Sequence, residues 1–267
     1  DHWHALIAIA AANAGKDIYC EKPLTHDLGE GQAVVAAAKR NGTVFQVGSM
    51  QRAGENFKQA CELVRNGYLG KITHINVGLP NGNTQQMVSS YPEVPEWLDY
   101  DFYVGPAQFV PYHPDRLDWN WRWWMDFGGS QMMDWIGHHG DIAHMGMGWD
   151  HTGPETIEPV LWELPKKSNI YDAPHQYQFN NTYADGTTMT VGSGSSMPEE
   201  FMKVGGGGTQ WLNAEGDWIY VDRGALRASD PELLNIKFSG NDFRFRKERN
   251  HMRDWLDCIK TRKQPLA

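Results

Sequence analysis

The first 52 residues alternate helix, strand, helix, strand, and that order leaves few folds open. ALIAIAAANAGK, following Asp1 and His4, reads as a helix that ends at Gly15, and Asp17 to Cys20 (DIYC) as a short apolar strand. A second helix starts at Asp27, where Asp27 and Glu30 have capping-box spacing, runs through AVVAAAKR and stops at Asn41-Gly42. Thr43 to Val47 (TVFQV) is the next strand. Strands joined through helices by short connections pair in parallel, in an α/β layer fold. Ligands of such sheets bind beyond the carboxyl ends of the strands. That edge holds Glu21-Lys22-Pro23 after the first strand and Gly48 to Arg52 (GSMQR), with Gln51, after the second. The proline keeps Lys22 extended. A solvated turn lysine is the plainer reading of Lys22, but its place after a buried strand favours a role.

Glu55 to Asn66 is an amphipathic helix, with Phe57, Ala60, Cys61 and Val64 at i, i+3, i+4 and i+7. ITHINVGL is a strand, with Ile75, Val77 and Leu79 on one face. Pro80 to Phe127 has little periodicity and reads as a loop. After Asp150 the chain turns to strands. Tyr177–Tyr183 and Thr187–Val191 flank Asp185-Gly186, and Gln210–Asn213 and Trp218–Asp222 flank Glu215-Gly216, as two hairpins; Gly224–Ala228 adds a further strand. The glycine runs at 192–194 and 205–208 lack the order of a dinucleotide loop and read as turns. Glu248 to Lys260 is a helix with Met252, Trp255, Leu256 and Ile259 at core spacing. The expected division is 1–52, part of a dinucleotide-binding unit, and 53–267, a substrate and oligomerisation unit.

Trp119 to Trp149 carries the chemistry. Gly128-Gly129 opens a helix that Gly146 and Gly148 close. At about 100° per residue, His138 lies about 40° to one side of Asp134 and Asp141 about 20° to the other, so the three share a face. A carboxylate one turn from an imidazole can orient it as a general base or acid. An exposed Asp–His pair would need no such role, but the neighbours here are Trp, Met, Ile and Gly, which belong in a core or a cleft. Seven of the 12 tryptophans fall between Trp97 and Trp149. Clustered Trp usually packs a core. Trp119, Trp121, Trp123 and Trp124 beside Tyr112, His113, Arg116 and Arg122 also suit a sugar, with apolar ring faces and a hydroxyl rim. The net charge of −9 argues against nucleic acid and anionic membrane as partners, and no apolar run of about 18 residues suggests a membrane span. Cys20, Cys61 and Cys258 are too few and too far apart for a disulfide framework or a zinc site.

The order DHWH, CEKPL, GSMQR, WRWW…GGSQMMDWIGHHGDIAHMGMG and NAEGDWIYVDRG resembles the Gfo/Idh/MocA oxidoreductases, named for glucose-fructose oxidoreductase and inositol dehydrogenase. Glu-Lys-Pro followed by Gly-Gly-x4-Asp-x3-His-x2-Asp is its most specific part. The resemblance implies the C-terminal part of a Rossmann-type parallel sheet plus an α+β domain with a large open, mostly antiparallel sheet. It implies NAD or NADP as cofactor, with Asp1, His4, Glu21, Lys22, Pro23, Gln51 and Arg122 near it. It implies Lys22, Asp134 and His138 as catalytic residues: His138 the base, Asp134 its orienting partner, Lys22 stabilising the alkoxide. Tyr112, Arg116, Trp123, Trp124, His139 and Asp141 are the expected substrate contacts, and no metal is expected. The family's first strand and Gly-rich loop belong upstream of Asp1, so the chain reads as a fragment. Its compartment is unread, with the cytoplasm the default and an exported, periplasmic form an alternative.

The leading expectation is therefore an NAD(P)-dependent oxidoreductase acting on a secondary hydroxyl of a sugar, glycoside or polyol, a homo-oligomer (dimer or tetramer) when intact. An NAD-dependent glycosidase that oxidises its sugar transiently would use the same residues, and only it would regenerate its cofactor each turnover. A metal-dependent hydrolase would use Asp134, His138, Asp141 and His144 as donors and leave Lys22 idle. A non-catalytic sugar-binding remnant is the fourth reading.

Overall fold

The computed structural model describes residues 1–247 and 250–267. Its N-terminal layer is α1 (His4–Asn13), β1 (Ile18–Cys20), α2 (Leu28–Asn41) and β2 (Phe45–Val47), with β1 and β2 paired in parallel. Asp27 caps α2 by accepting from Glu30 N–H at 2.9 Å, and Gly42 ends it at φ 60°. The reciprocal bond differs from the expected box: Glu30 Oε2 accepts from His26 N–H, one residue before the cap. Ala5, Ala8, Ala12, Val34 and Ala37 pack α1 and α2 against one face of the strands.

A second sheet of seven strands fills the rest of the chain. Its strands are β3 (Ile72–Leu79), β4 (Thr156–Glu163), β5 (Gln176–Thr182), β6 (Thr188–Ser193), β7 (Gly208–Asn213), β8 (Trp218–Val221) and β9 (Leu226–Ala228), in the order β4-β5-β6-β3-β7-β8-β9. Only the β3–β6 pair is parallel. Both hairpins form as read, Thr182 opposite Thr188 and Leu212 opposite Trp218. α3 (Glu55–Arg65) and α5 (Ser130–Met147) cover one face, burying Leu63, Ile75, Val77, Ile142, Trp211 and Ile219 in the main core. The other face carries a polar ladder: Asn76 Nδ2 donates to Gln210 Oε1 at 3.0 Å, and Thr190 Oγ1 to Asn180 Oδ1 at 2.8 Å.

Three parts differ from the sequence reading. β4 has no alternating pattern to betray it: it is an edge strand, mostly exposed, with Pro159 at an irregularity in its pairing. The long loop holds a short helix, α4 (Tyr100–Val104), capped by Asp99, and a further short helix, α6 (Glu199–Val204), precedes the 205–208 glycines. The last helix, α7 (His251–Thr261), turns a different face inward; Glu248, the expected first residue, lies outside the described residues. His251, Asp254 and Cys258 are buried, while Met252 and Leu256 are exposed. The reason is its seat. α7 lies on the second face of β1–β2, where Gln46 Nε2 donates to the His251 carbonyl at 2.6 Å and Trp255 Nε1 to the Val44 carbonyl at 3.3 Å. The end of the chain thus completes the N-terminal layer, across the expected 52/53 boundary.

Candidate active site

α5 draws the two parts together. A Cβ on Gly129 would run into the Met133 side chain, which would have to move aside, and Gly148 closes the helix at φ 73°. Gly137 leaves room for the stem of Lys22, whose Cβ would lie 3.3 Å from a Cβ on that glycine. The Lys22 ammonium donates to the main-chain carbonyl of Asp134 at 2.7 Å and to its carboxylate Oδ1. Arg122 Nε sits 3.4 Å from the other carboxylate oxygen, its guanidinium packed on Trp119 and Trp121 at 3.8 and 4.5 Å. Lys22, Asp134 and Arg122 form a largely buried ion triad. Removing one member would strand a buried charge, at about 3–5 kcal/mol.

His138 is one turn further along and buried. The expected bond from Asp134 does not form: the carboxylate is taken by Lys22 and Arg122, and His138 Nδ1 has no hydrogen-bond partner. The brace comes from Gln51. With its amide in the orientation that satisfies both ends, Gln51 donates to the His138 carbonyl at 3.2 Å and accepts from Arg223 Nε at 3.1 Å. Burial, then Lys22 and Arg223, push the His138 imidazole down from 6.5 to about 3. Burial and Arg223 push His139 down to about 4. Both are neutral at pH 7.

That has a thermodynamic consequence. Both folded values lie below the unfolded 6.5, so the stability these histidines lend is complete above pH 6.5 and is lost as pH falls toward 4 and then 3. Unfolding at pH 5 should cost less than at pH 7 by on the order of 1 kcal/mol per histidine after solvent screening. Chemical denaturation at the two pH values, with His139→Gln alongside, tests this; an unchanged slope in the variant would reject the neutral, buried state of His139.

The remaining expected residues are scattered by the fold. His4 Nδ1 meets the Pro23 carbonyl at 2.6 Å, Asp1 accepts from His4 N–H through its carbonyl, and Glu21 covers Gly48 so closely that a Cβ there would lie 2.5 Å from its carboxylate. These stay at the carboxyl edge of β1. Gln51 does not face that edge but is a buried strut under α5. Tyr112, Trp123 and Trp124 are not free to line a cleft: they pack with Tyr100, Phe127 and Tyr171 in a second core inside the long loop. Arg116 is buried with them, 3.5 Å over the Trp124 ring. Asp141 is fixed by Arg52 in a bidentate pair at 2.7 and 2.8 Å. The metal-donor set is likewise dispersed, with Asp134 on Lys22, Asp141 on Arg52 and His144 on the Tyr183 hydroxyl. His139 stacks on Trp135, facing a neighbouring cleft. The sequence reading missed Trp135 and Arg223; the Asp-Arg-Gly after a strand was the available signal.

Residues 53–264 match the model of an oxidoreductase family's C-terminal alpha/beta domain, and residues 1–49 match that family's NAD-binding Rossmann fold. Inositol 2-dehydrogenase of Salmonella typhimurium is 36% identical over 69 residues, 26% of this chain and 20% of that protein. Levoglucosan dehydrogenase of Pseudarthrobacter phenanthrenivorans is 40% identical over 72 residues, 27% of this chain and 18% of that protein. The matched stretches thus span about a fifth of these curated relatives. The crystal structure of aldose-aldose oxidoreductase from Caulobacter crescentus, complexed with glycerol, superposes with a TM-score of 0.62 at 19% identity, covering 99% of this chain and 68% of that one. The WlbA dehydrogenase from Chromobacterium violaceum, in complex with NADH and UDP-GlcNAcA, gives 0.57 at 16% identity, covering 97% and 64%. At these identities the likeness is one of fold.

Proposed function

The chain belongs to the Gfo/Idh/MocA oxidoreductase family, and on that premise we propose that the intact protein transfers a hydride between NAD or NADP and a secondary hydroxyl of a sugar, glycoside or polyol. One observation carries the reading. The Lys22 ammonium, brought from the carboxyl end of β1 onto Asp134, stands on the same helix face as a neutral imidazole whose Nδ1 has no partner. A cation and a proton acceptor side by side are what an alcohol needs as it becomes a carbonyl.

The residues present fit the reacting end of the cofactor. An orphaned buried imidazole nitrogen on the helix that Lys22 bonds is an unmet polar group that a ligand would satisfy. Lys22, His4 and Arg122 would hold that end; a Gly-x-Gly-x-x-Gly loop for the phosphates does not occur in the sequence. When bound, the cofactor supplies the hydride acceptor or donor. The chain's residues handle charge and protons. His138 accepts the hydroxyl proton, in its neutral form throughout the physiological range. Lys22 stabilises negative charge as it builds on the substrate oxygen. Asp134, with Arg122 behind it, fixes the Lys22 ammonium in place instead of orienting the imidazole.

The test is NAD(P)H formation by the full-length protein against a panel of sugars and polyols, with Lys22→Ala as control. Turnover with at least one alcohol, lowered about 10²-fold or more in the variant, is expected. Activity that is equal in both proteins would reject the assignment of Lys22.

A further inference from the structure

Beside the candidate active site lies a second opening, a cleft of about 530 Å³ at the ends of β3 and β8. Its wall includes Trp135, His139 and Arg223, and glycines from the 194, 206–207 and 224 turns leave it wide. Trp135 borders this cleft and also touches the helix face that carries His138. Its ring meets His138 at 5.7 Å edge-on and stacks on His139 at 5.3 Å. Arg223 lies over the same indole at 4.6 Å.

Two charged residues line the cleft, and they differ in what they have left to offer. Asp222 is saturated: its Oδ1 accepts from the Gly224 and Ala225 N–H groups at 2.6 and 2.7 Å, and its Oδ2 from the Tyr220 hydroxyl at 2.8 Å. Arg223 is anchored through one nitrogen only, Nε to Gln51. Its two terminal nitrogens have no hydrogen-bond partner among the described residues, and the residue is exposed. A guanidinium fixed at Nε and by an aromatic face presents a planar fork, the geometry that carboxylates take bidentately. No second cation lines the cleft to share a doubly charged phosphate.

We propose that Arg223 is a specificity residue that grips the carboxylate of an acidic sugar, a hexuronate, whose reacting hydroxyl reaches His138 past the edge of the Trp135 ring. This rests on the oxidoreductase reading for the position of the reacting end, but the Arg223 grip is a binding claim and is measurable without turnover. The Gln51 bridge gives the grip its position. The amide that fixes Arg223 also holds the His138 carbonyl, so the carboxylate fork and the proton acceptor are set relative to each other by one side chain.

The experiment is calorimetric binding to full-length protein with NADH bound. The probes are D-glucuronate, D-galacturonate and D-mannuronate, each against its neutral hexose, with D-glucose 6-phosphate as a separate arm. At least one hexuronate should bind about 10- to 100-fold more tightly than its hexose, the worth of one charge-assisted bidentate pair. Arg223→Ala should erase that preference, leaving hexuronate and hexose equal in the same variant, and Arg223→Lys should restore it in part. No preference for any acid, or a preference that survives Arg223→Ala, overturns the proposal. A preference for the phosphate ester that Arg223→Ala abolishes overturns the carboxylate in favour of a phosphate. Hexuronate binding without NADH oxidation or NAD reduction would leave the Arg223 site standing and reject the oxidoreductase reading. Turnover of an alcohol by a protein that shows no Arg223-dependent preference for any acid would do the reverse.

Discussion

His138→Ala in the full-length protein should bind NAD(H) as the parent does and turn over its alcohol about 10²–10⁴-fold more slowly, the usual span for a lost general base. Binding should survive because the proposed function gives His138 a contact with the reacting end alone. The pH dependence of Lys22→Ala separates this from a merely structural role. With the imidazole held at about 3, the activity of the parent should not fall on the acid side because of His138 until well below pH 5. Lys22 is the largest cause of that depression after burial. Removing its charge should therefore raise the His138 value, so Lys22→Ala should show an acidic limb at higher pH in whatever turnover it keeps. The two effects oppose each other: a cation placed to stabilise the alkoxide also keeps the imidazole neutral at the expense of its strength as a base. Turnover per folded site near that of the parent in His138→Ala, with only a lowered Tm, would return the residue to the core.

Trp211→Ala should lose about 3–5 kcal/mol of stability, the range for a large aromatic removed from a core. Trp211 is fully buried on β7 beneath α5. The fit there is tight from the helix side as well. A Cβ on Gly146 would come 2.6 Å from Trp211 Cζ2, so Gly146→Ala should cost about 1–3 kcal/mol through overpacking, despite the better helix propensity of alanine. In a Trp211→Phe background those indole atoms are gone, and so is a buried Nε1 donor that has no partner. Gly146→Ala should then be nearly free. Denaturant unfolding of the four proteins measures the coupling directly; additive single effects would show that Gly146 is not there for the indole.

The local signals that were legible are those written into a few adjacent residues. Asp27, Glu30 and Gly42 bound α2 in sequence as they do in space, and Asp185-Gly186 and Glu215-Gly216 place both hairpins. The helix that brings Asp134 and His138 onto one face was equally plain from its bounding glycines. What depended on distant partners was not legible. The periodicity of α7 named Met252 and Leu256 as core, but His251 turns inward to bond β2, and Asp254 to meet Arg246 and the Leu266 N–H. The tryptophans of the long loop looked available to a ligand. A loop of that length must bury something of its own, and Trp123, Trp124, Tyr112 and Phe127 became that core. An Asp and a His at i and i+4 suggested a pair, yet a lysine 112 residues away claims the carboxylate. Arg223 went unnoticed because its meaning lies in Trp135 and Gln51, neither of which is near it in sequence.

The return of α7 to the first layer also sets an order of events on the ribosome. The His251 Nε2–Val47 carbonyl contact joins residues 204 positions apart. At roughly 5–20 residues per second, synthesis of that interval takes about 10–40 s. During that time α1 and α2 can cover one side of β1–β2, but Tyr19 and Gln46 on the other side have nothing to close over them. The nascent layer therefore waits, half-dressed, while the large sheet is made and folds beside it. That face stays open to a chaperone or a protease for the whole of the interval.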